Sequence, residues 1–335
     1  MKLTHSRSTL VTGACSGALA LLMLTACGTD PGDADTPSTT EGEASGTRTV
    51  EHVFGETEIP ADPANVVSVS VTSTAVLLSL DIPVTASSTT SPSALTDDNG
   101  FFAQWAEVAV ERGVEPLPGP EVSLEAVGAA TPDLIVGNGF GADAIDQDTY
   151  ETLSEIAPTV VYGESDTPWT ELTEQYAEAF DRGDRADEIA EEYERLVAET
   201  SEALSAEEDV VVLTGTPDGF NVFTSESAQG RLIDELGLTL HEMPEDLTAS
   251  GNQGGPERAD IVRLSPERAS EFGDSTLLFV NTQGEEPADY AETAPILEST
   301  PAYEEDRAFT LGAEAFRLDY YSVPLIADRL VELLG

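Results

Sequence analysis

The sequence predicts an α/β protein of two lobes, each a parallel-type sheet covered by helices, joined by one long connecting helix. Three observations carry this reading. Short apolar runs alternate with helical stretches from Asn65 to Tyr162, an apolar stripe of helical period fills the region after Gly183, and a second alternation opens at Asp209.

In the first lobe, Val66 to Val71 reads as a strand, Thr74 to Leu80 as a short helix and Pro83 to Ala86 as a strand. Ser123 to Ala130 then reads as a helix and Asp133 to Val136 as a buried strand. Tyr150 to Ile156 follows as a helix and Thr159 to Tyr162 as a strand.

The period changes after Pro168, where Trp169, Leu172, Tyr176 and Phe180 share one stripe. Beyond a break at Gly183, Ala186, Ile189, Ala190, Tyr193, Leu196, Val197, Thr200 and Leu204 recur three and four apart, with Asp184 as the expected N-cap and Asp187 in the first turn. A helix of that length spans roughly 30 Å, about the width of a lobe, so it connects two lobes and limits their hinging.

The second lobe opens with the strand Asp209 to Leu213, a turn at Pro217-Asp218-Gly219 and the strand Phe220 to Thr224. The helix Gly230 to Leu236, the strands Thr276 to Asn281 and Ala308 to Leu311, and a closing helix from Val323 to Leu334 complete it. The expected lobes are therefore 48–165 and 209–335, with the connecting region at 166–208.

Residues 1–27 have the parts of a secretion signal: Lys2, His5 and Arg7, an apolar stretch from Leu10 to Leu24, then small residues. The tetrad Leu24-Thr25-Ala26-Cys27 matches the bacterial lipobox, so Cys27 is the expected lipidation site. Thr12, Gly13, Ser16 and Gly17 interrupt the apolar stretch, which is short for a bilayer crossing. Cys15 lies inside the leader, so no internal disulfide is expected. Residues 28–47 lack large apolar side chains and read as a flexible tether.

The chain carries 14 basic and 64 acidic residues, a formal net charge of −50. Beyond the leader every basic residue is Arg. Such a field repels nucleic acid and anionic headgroups, which excludes a nucleic-acid partner and leaves the lipid on Cys27 as the expected membrane link. The charge itself suits a salty habitat.

One pattern recurs in both lobes. Ser123-Leu124-Glu125 precedes the strand at Asp133, and Ser265-Pro266-Glu267 precedes the strand at Thr276. A Ser cap with an acid in the first turn is ordinary helix-start chemistry, and the recurrence also leaves a paired role open.

Several segments together carry a resemblance. They are Gly55 to Pro63 before the first strand, Leu124 to Val127 with Pro132 to Val136, Leu153 to Thr159 with Trp169 downstream, Gly230 to Gly237, and Phe316 to Ser322 before the last helix. In that order, from about residue 48 to the end, the chain resembles the class III periplasmic-binding fold of ferric-siderophore, haem and cobalamin receptors, in its lipid-anchored actinobacterial form.

That resemblance implies a monomeric solute-binding lipoprotein on the extracytoplasmic face of the cell membrane, serving an ABC importer. A ferric siderophore would lie in the cleft between lobes and pass to a permease dimer with its ATPase; haem or cobalamin stays open as cargo. It implies that Glu125 and Glu267 dock onto permease arginines, one from each lobe. The cleft loops would be Thr72 to Thr74, Ser87 to Pro92, Gly137 to Asp143, Thr214 to Gly219, Asn281 to Glu285 and Gly312 to Ser322.

In a chain with so few cations, Arg317 is the first ligand-binding candidate, because a planar guanidinium suits anionic or carbonyl oxygens. Its alternative is a pair with Asp319 or another acid. Tyr320, Tyr321, Phe140 and Trp105 offer aromatic faces, although Phe101, Phe102, Trp105 and Val108 equally fit a packed helix face. Arg258, beyond the glycine-rich stretch Gly251 to Gly255, is a further candidate.

His52 and His241 are too few for a multi-His metal site, so no metal site and no resident cofactor are expected, and iron would arrive already chelated. Haem would need Tyr320 or His241 as axial ligand. An enzyme is not expected: there is no Gly-x-Ser-x-Gly, and Gly137 to Gly141 lacks the Lys-Ser/Thr pair of a phosphate loop. A hydrolase and a non-transport surface interaction protein are the readings from other classes.

Overall fold

Valine-rich runs form the centre of each sheet. In the computed structural model, which describes residues 46–164, 167–205, 208–244, 247 and 259–335, Val66 and Val67 are completely buried in a strand just three residues long. The leader, Cys27, nearly all of the tether and Arg258 lie outside the described residues.

The described chain starts with a hairpin of β1 (Thr47–His52) and β2 (Gly55–Pro60), which turns Val50 and Ile59 inward. The first sheet has the order β5-β4-β3-β6-β7 and is parallel throughout. Its strands are β3 (Val66–Ser68), β4 (Val84–Ser87), β5 (Glu115–Pro116), β6 (Leu134–Asn138) and β7 (Thr159–Tyr162). Helices α1 (Val71–Ser79), α2 (Ala103–Glu111), α3 (Leu124–Ala129) and α4 (Gln147–Ser154) connect them. Apolar clusters lie on both faces of this sheet, which is why its central strands read as unbroken apolar runs.

Strand β3 is shorter than its valines suggest. Ser70 accepts from the backbone N–H groups of Thr72 and Ser73, both at 3.1 Å, and this cap starts α1 at Val71.

Helix α5 (Trp169–Phe180) ends in the left-handed residue Asp181, and α6 (Gly183–Ala203) follows with 21 residues. It begins one residue ahead of Asp184, which therefore lies in the first turn rather than at the cap, where its charge still favours the helix N-terminus. Ala186 and Ile189 join the first-lobe core, whereas Tyr193, Leu196 and Val197 pack on the second. One helix thus belongs to both cores.

The second sheet has the order β10-β9-β8-β11-β12, formed by β8 (Val210–Thr216), β9 (Gly219–Phe223), β10 (Ile261–Leu264), β11 (Thr276–Phe279) and β12 (Ala308–Thr310). Strand β9 runs against both neighbours, because the turn at Pro217-Asp218 reverses the chain without a crossover. Gly219 begins β9 at φ +141°, and a methyl group there would meet Leu264 O at 2.1 Å. Helices α7 (Ala228–Glu235), α8 (Pro287–Thr293), α9 (Pro301–Glu304) and α10 (Ser322–Leu334) complete the lobe.

Candidate ligand-binding site

Parallel strands end on the same side, so the loops leaving β3, β4 and β6 share one rim. That rim supplies Val69, Ser88 to Thr90 and Ala142 to Asp146 to a cavity of about 670 Å³. Leu124 at the start of α3 extends the first-lobe wall, and Phe316 and Arg317 reach in from the second lobe. Three of the six expected cleft loops contribute: the ones after β4, β6 and β12. Those at Thr72 to Thr74, Thr214 to Gly219 and Asn281 to Glu285 do not line it.

The cavity joins an apolar surface to a small polar centre. Val69, Leu95, Phe102, Ile145 and Phe316 supply the former, and Asp143 with Arg317 the latter. Arg317 is the one cation among the described lining residues; Glu121, Asp143, Asp146 and Asp148 are the acids. Few placed polar groups in an apolar concavity are what a site for a small molecule requires.

Asp143 closes a 3-10 turn at Gly141–Asp143 and points at the N-terminus of α1. Its Oδ2 accepts from Ser70 Oγ at 2.6 Å and from Thr72 N at 3.1 Å, and its Oδ1 accepts from Asn138 Nδ2 at 3.1 Å. Burial, the largest single influence, pushes its carboxyl up. The Arg317 charge and the hydrogen bonds from Ser70 and Thr72 together outweigh that, so Asp143 titrates below the ordinary aspartate range.

Arg317 pairs with this carboxylate across the lobes, Nη2 to Oδ1 at 3.4 Å, rather than with its near neighbour Asp319. Asp319 is instead buried at the start of α10, where Oδ1 accepts from Tyr321 N and Ser322 N, each at 2.9 Å. Burial raises the Asp319 carboxyl against these hydrogen bonds and that from Gln104.

The aromatic candidates fall elsewhere. Trp105 is fully buried and tilts against Phe101 at 5.3 Å, so the packed helix face is what forms. Tyr320 turns to the connecting helix, donating to Glu192 Oε2 at 2.8 Å and accepting from Arg185 Nη2 at 3.1 Å. Tyr321 and Phe140 pack partly buried against the first-lobe core, and none of the four lines the cavity. Trp169 meets Tyr193 of α6 edge-on at 5.1 Å.

The aromatic lining comes from Phe316 and Phe102. Phe316 is 41% exposed next to Arg317, and that adjacency was the available signal. Phe102 and Asp143 depend on how loops pack, which no local pattern reveals.

His241 pairs with Glu271 O at 2.9 Å, and neither it nor Tyr320 lines the cavity, so axial haem ligation by these two has no support in the geometry. Among the described residues, no group of three or more His, Cys, Asp or Glu side chains is placed to hold a metal ion. Glu125 and Glu267 are both exposed in the first turns of their helices. The two starts differ: Ser123 caps an α-helix through Ala126 N, whereas the 3-10 helix at Pro266–Phe272 has no such side-chain cap.

Residues 66–315 match the family described as periplasmic binding protein. The chain is 38% identical over 285 residues to the ferric enterobactin-binding periplasmic protein FepB of Escherichia coli O6:H1, covering 83% of this chain and 88% of that one. It is 27% identical over 233 residues to the probable siderophore-binding lipoprotein YfiY of Bacillus subtilis, covering 68% and 67%. Among solved structures, holo-ViuP superposes with a TM-score of 0.72 at 29% identity, covering 86% of this chain and 95% of that one.

Proposed function

Because this chain belongs to the periplasmic binding protein family, we propose that it is the solute-binding receptor of an ABC importer, capturing a ferric siderophore and delivering it to the permease. The observation that carries this is the inter-lobe cavity at the strand carboxyl ends, where Phe316 and Arg317 face the first-lobe rim. An apolar ring with one guanidinium suits a ligand whose scaffold is apolar and whose iron-binding oxygens are electron-rich.

The family and the curated relatives are binding proteins rather than enzymes, and capture followed by release requires no covalent step. Iron arrives chelated and is cargo, not a resident cofactor. The protein works at the outer face of the cell membrane, held by lipid on Cys27; the Leu24 to Cys27 tetrad supports this, as does the lipoprotein relative. No described helix is long and apolar enough to cross a membrane. Glu125 and Glu267, exposed on different lobes, are the proposed permease contacts.

The test is a titration of intrinsic fluorescence with a ferric hydroxamate, a ferric catecholate and haem, alongside thermal melting. Saturable quenching by one ferric class with a matching rise in melting temperature is expected. Silence to both ferric classes, or a response to haem alone, overturns the siderophore reading.

A further inference from the structure

Arg317 is neutralised before any ligand arrives, and the two halves of its ion pair are held very differently. Asp143 is anchored independently of Arg317, by Ser70 Oγ, Thr72 N and Asn138 Nδ2. Its carboxylate sits at the N-terminus of α1, where exposed N–H groups and the helix dipole favour negative charge. Arg317 is held loosely: its single hydrogen bond to Asp143 is long at 3.4 Å, and its buried Nε has no hydrogen-bond partner among the described residues. The guanidinium lies over Gly141, where a methyl group would stand 3.5 Å from Nη2. Asp143 is thus the stationary partner and Arg317 the one free to rearrange.

An anion entering the cavity must therefore compete with a carboxylate that does not leave. It also meets Glu121, Asp146 and Asp148 on the same lining, with no second cation there among the described residues. Charges a few ångströms apart at a partly buried site interact strongly enough to sort ligands by charge.

We propose that Asp143 is a specificity-determining residue that acts as a charge filter, setting how strongly the cavity discriminates against ferric complexes of high negative charge by holding Arg317 in a pair that such complexes must open. This rests on the cavity being the siderophore site. A neutral ferric complex can bind on the apolar lining with the pair closed, whereas a trianionic one must draw Arg317 away and leave Asp143 ionised beside it. Removing the Asp143 charge while keeping its acceptor oxygen relieves both costs of the trianionic complex and hardly touches the binding of the neutral one.

The experiment compares a trianionic ferric tris-catecholate with a neutral ferric tris-hydroxamate, by fluorescence titration of the intact protein, D143N, D143E and the R317Q pair with and without D143N. D143N is expected to tighten the trianionic complex roughly tenfold and to move the neutral one less than about threefold. D143E, which retains the charge, should keep the wild-type preference, and the D143N effect should shrink in the R317Q background, where the pair is gone and only the direct repulsion between Asp143 and the trianion is left. Equal shifts for both complexes, loss of the preference in D143E, or an undiminished D143N effect without Arg317 overturns the filter while leaving the binding reading intact. If neither complex binds the wild-type protein, the binding reading and the filter fall together.

Discussion

Gln104 on α2 donates to Asp319 at the head of α10 across 3.1 Å, so one amide on the first lobe reaches the residue that opens the last helix of the second. Asp319 is buried, and its folded-state carboxyl titrates above the unfolded value because burial outweighs its hydrogen bonds. As pH rises through the window between the two values, the unfolded chain loses its proton first, and stability falls. At neutral pH the buried charge is therefore a liability. Asp319→Asn keeps an acceptor for Tyr321 N and Ser322 N and is expected to raise the melting temperature at pH 7, with the gain shrinking as pH falls towards about 4. Melting curves across that range check it; a gain that grows on acidification refutes it.

Phe316 and Trp105 separate ligand contact from core packing. Phe316→Ala should weaken the ferric complex about five- to tenfold and change folding by no more than about 0.5 kcal/mol, since the ring is 41% exposed. Trp105→Ala empties a fully buried site and should cost about 3–5 kcal/mol in urea unfolding, while the folded fraction binds as before.

Tyr320→Phe removes the hydroxyl shared with Glu192 and Arg185 but keeps the ring 5.4 Å from the Arg185 guanidinium. Stability should drop by about 0.5–1.5 kcal/mol, with ligand affinity unchanged within about twofold. A large affinity loss would return Tyr320 to the ligand site.

Reversing both exposed acids, Glu125→Arg with Glu267→Arg, should leave ligand titration and melting near wild type. It should reduce uptake through the cognate permease at least roughly tenfold, because like charges then meet across the contact. Unchanged uptake would remove both residues from the docking surface.

Much of the fold is legible in the sequence because burial on two faces or on one stripe leaves a local pattern. Leu134, Ile135 and Val136 stand together as an apolar run and form a buried strand, and the stripe from Ala186 to Thr200 recurs turn after turn and forms α6, with Leu204 just past its end as the C-cap. The hairpin at Thr47–Pro60 leaves almost no trace, since only Val50 and Ile59 are buried in it. The direction of β9 depends on a turn, and the end of β3 on one serine hydroxyl. At the site, Arg317 stands out because cations are scarce, but aromatic residues are ambiguous. A Tyr or Trp serves core and cavity equally well until packing decides, which is why Trp105 and Tyr320 lie off the lining and Phe316 lies on it.

Helix α6 buries Ile189 in one core and packs Leu196 against the other, within a single compact unit. Loosening that helix exposes apolar surface in both halves at once, so neither half can melt and leave its companion untouched. Heat or urea should therefore undo residues 46–335 in one cooperative transition.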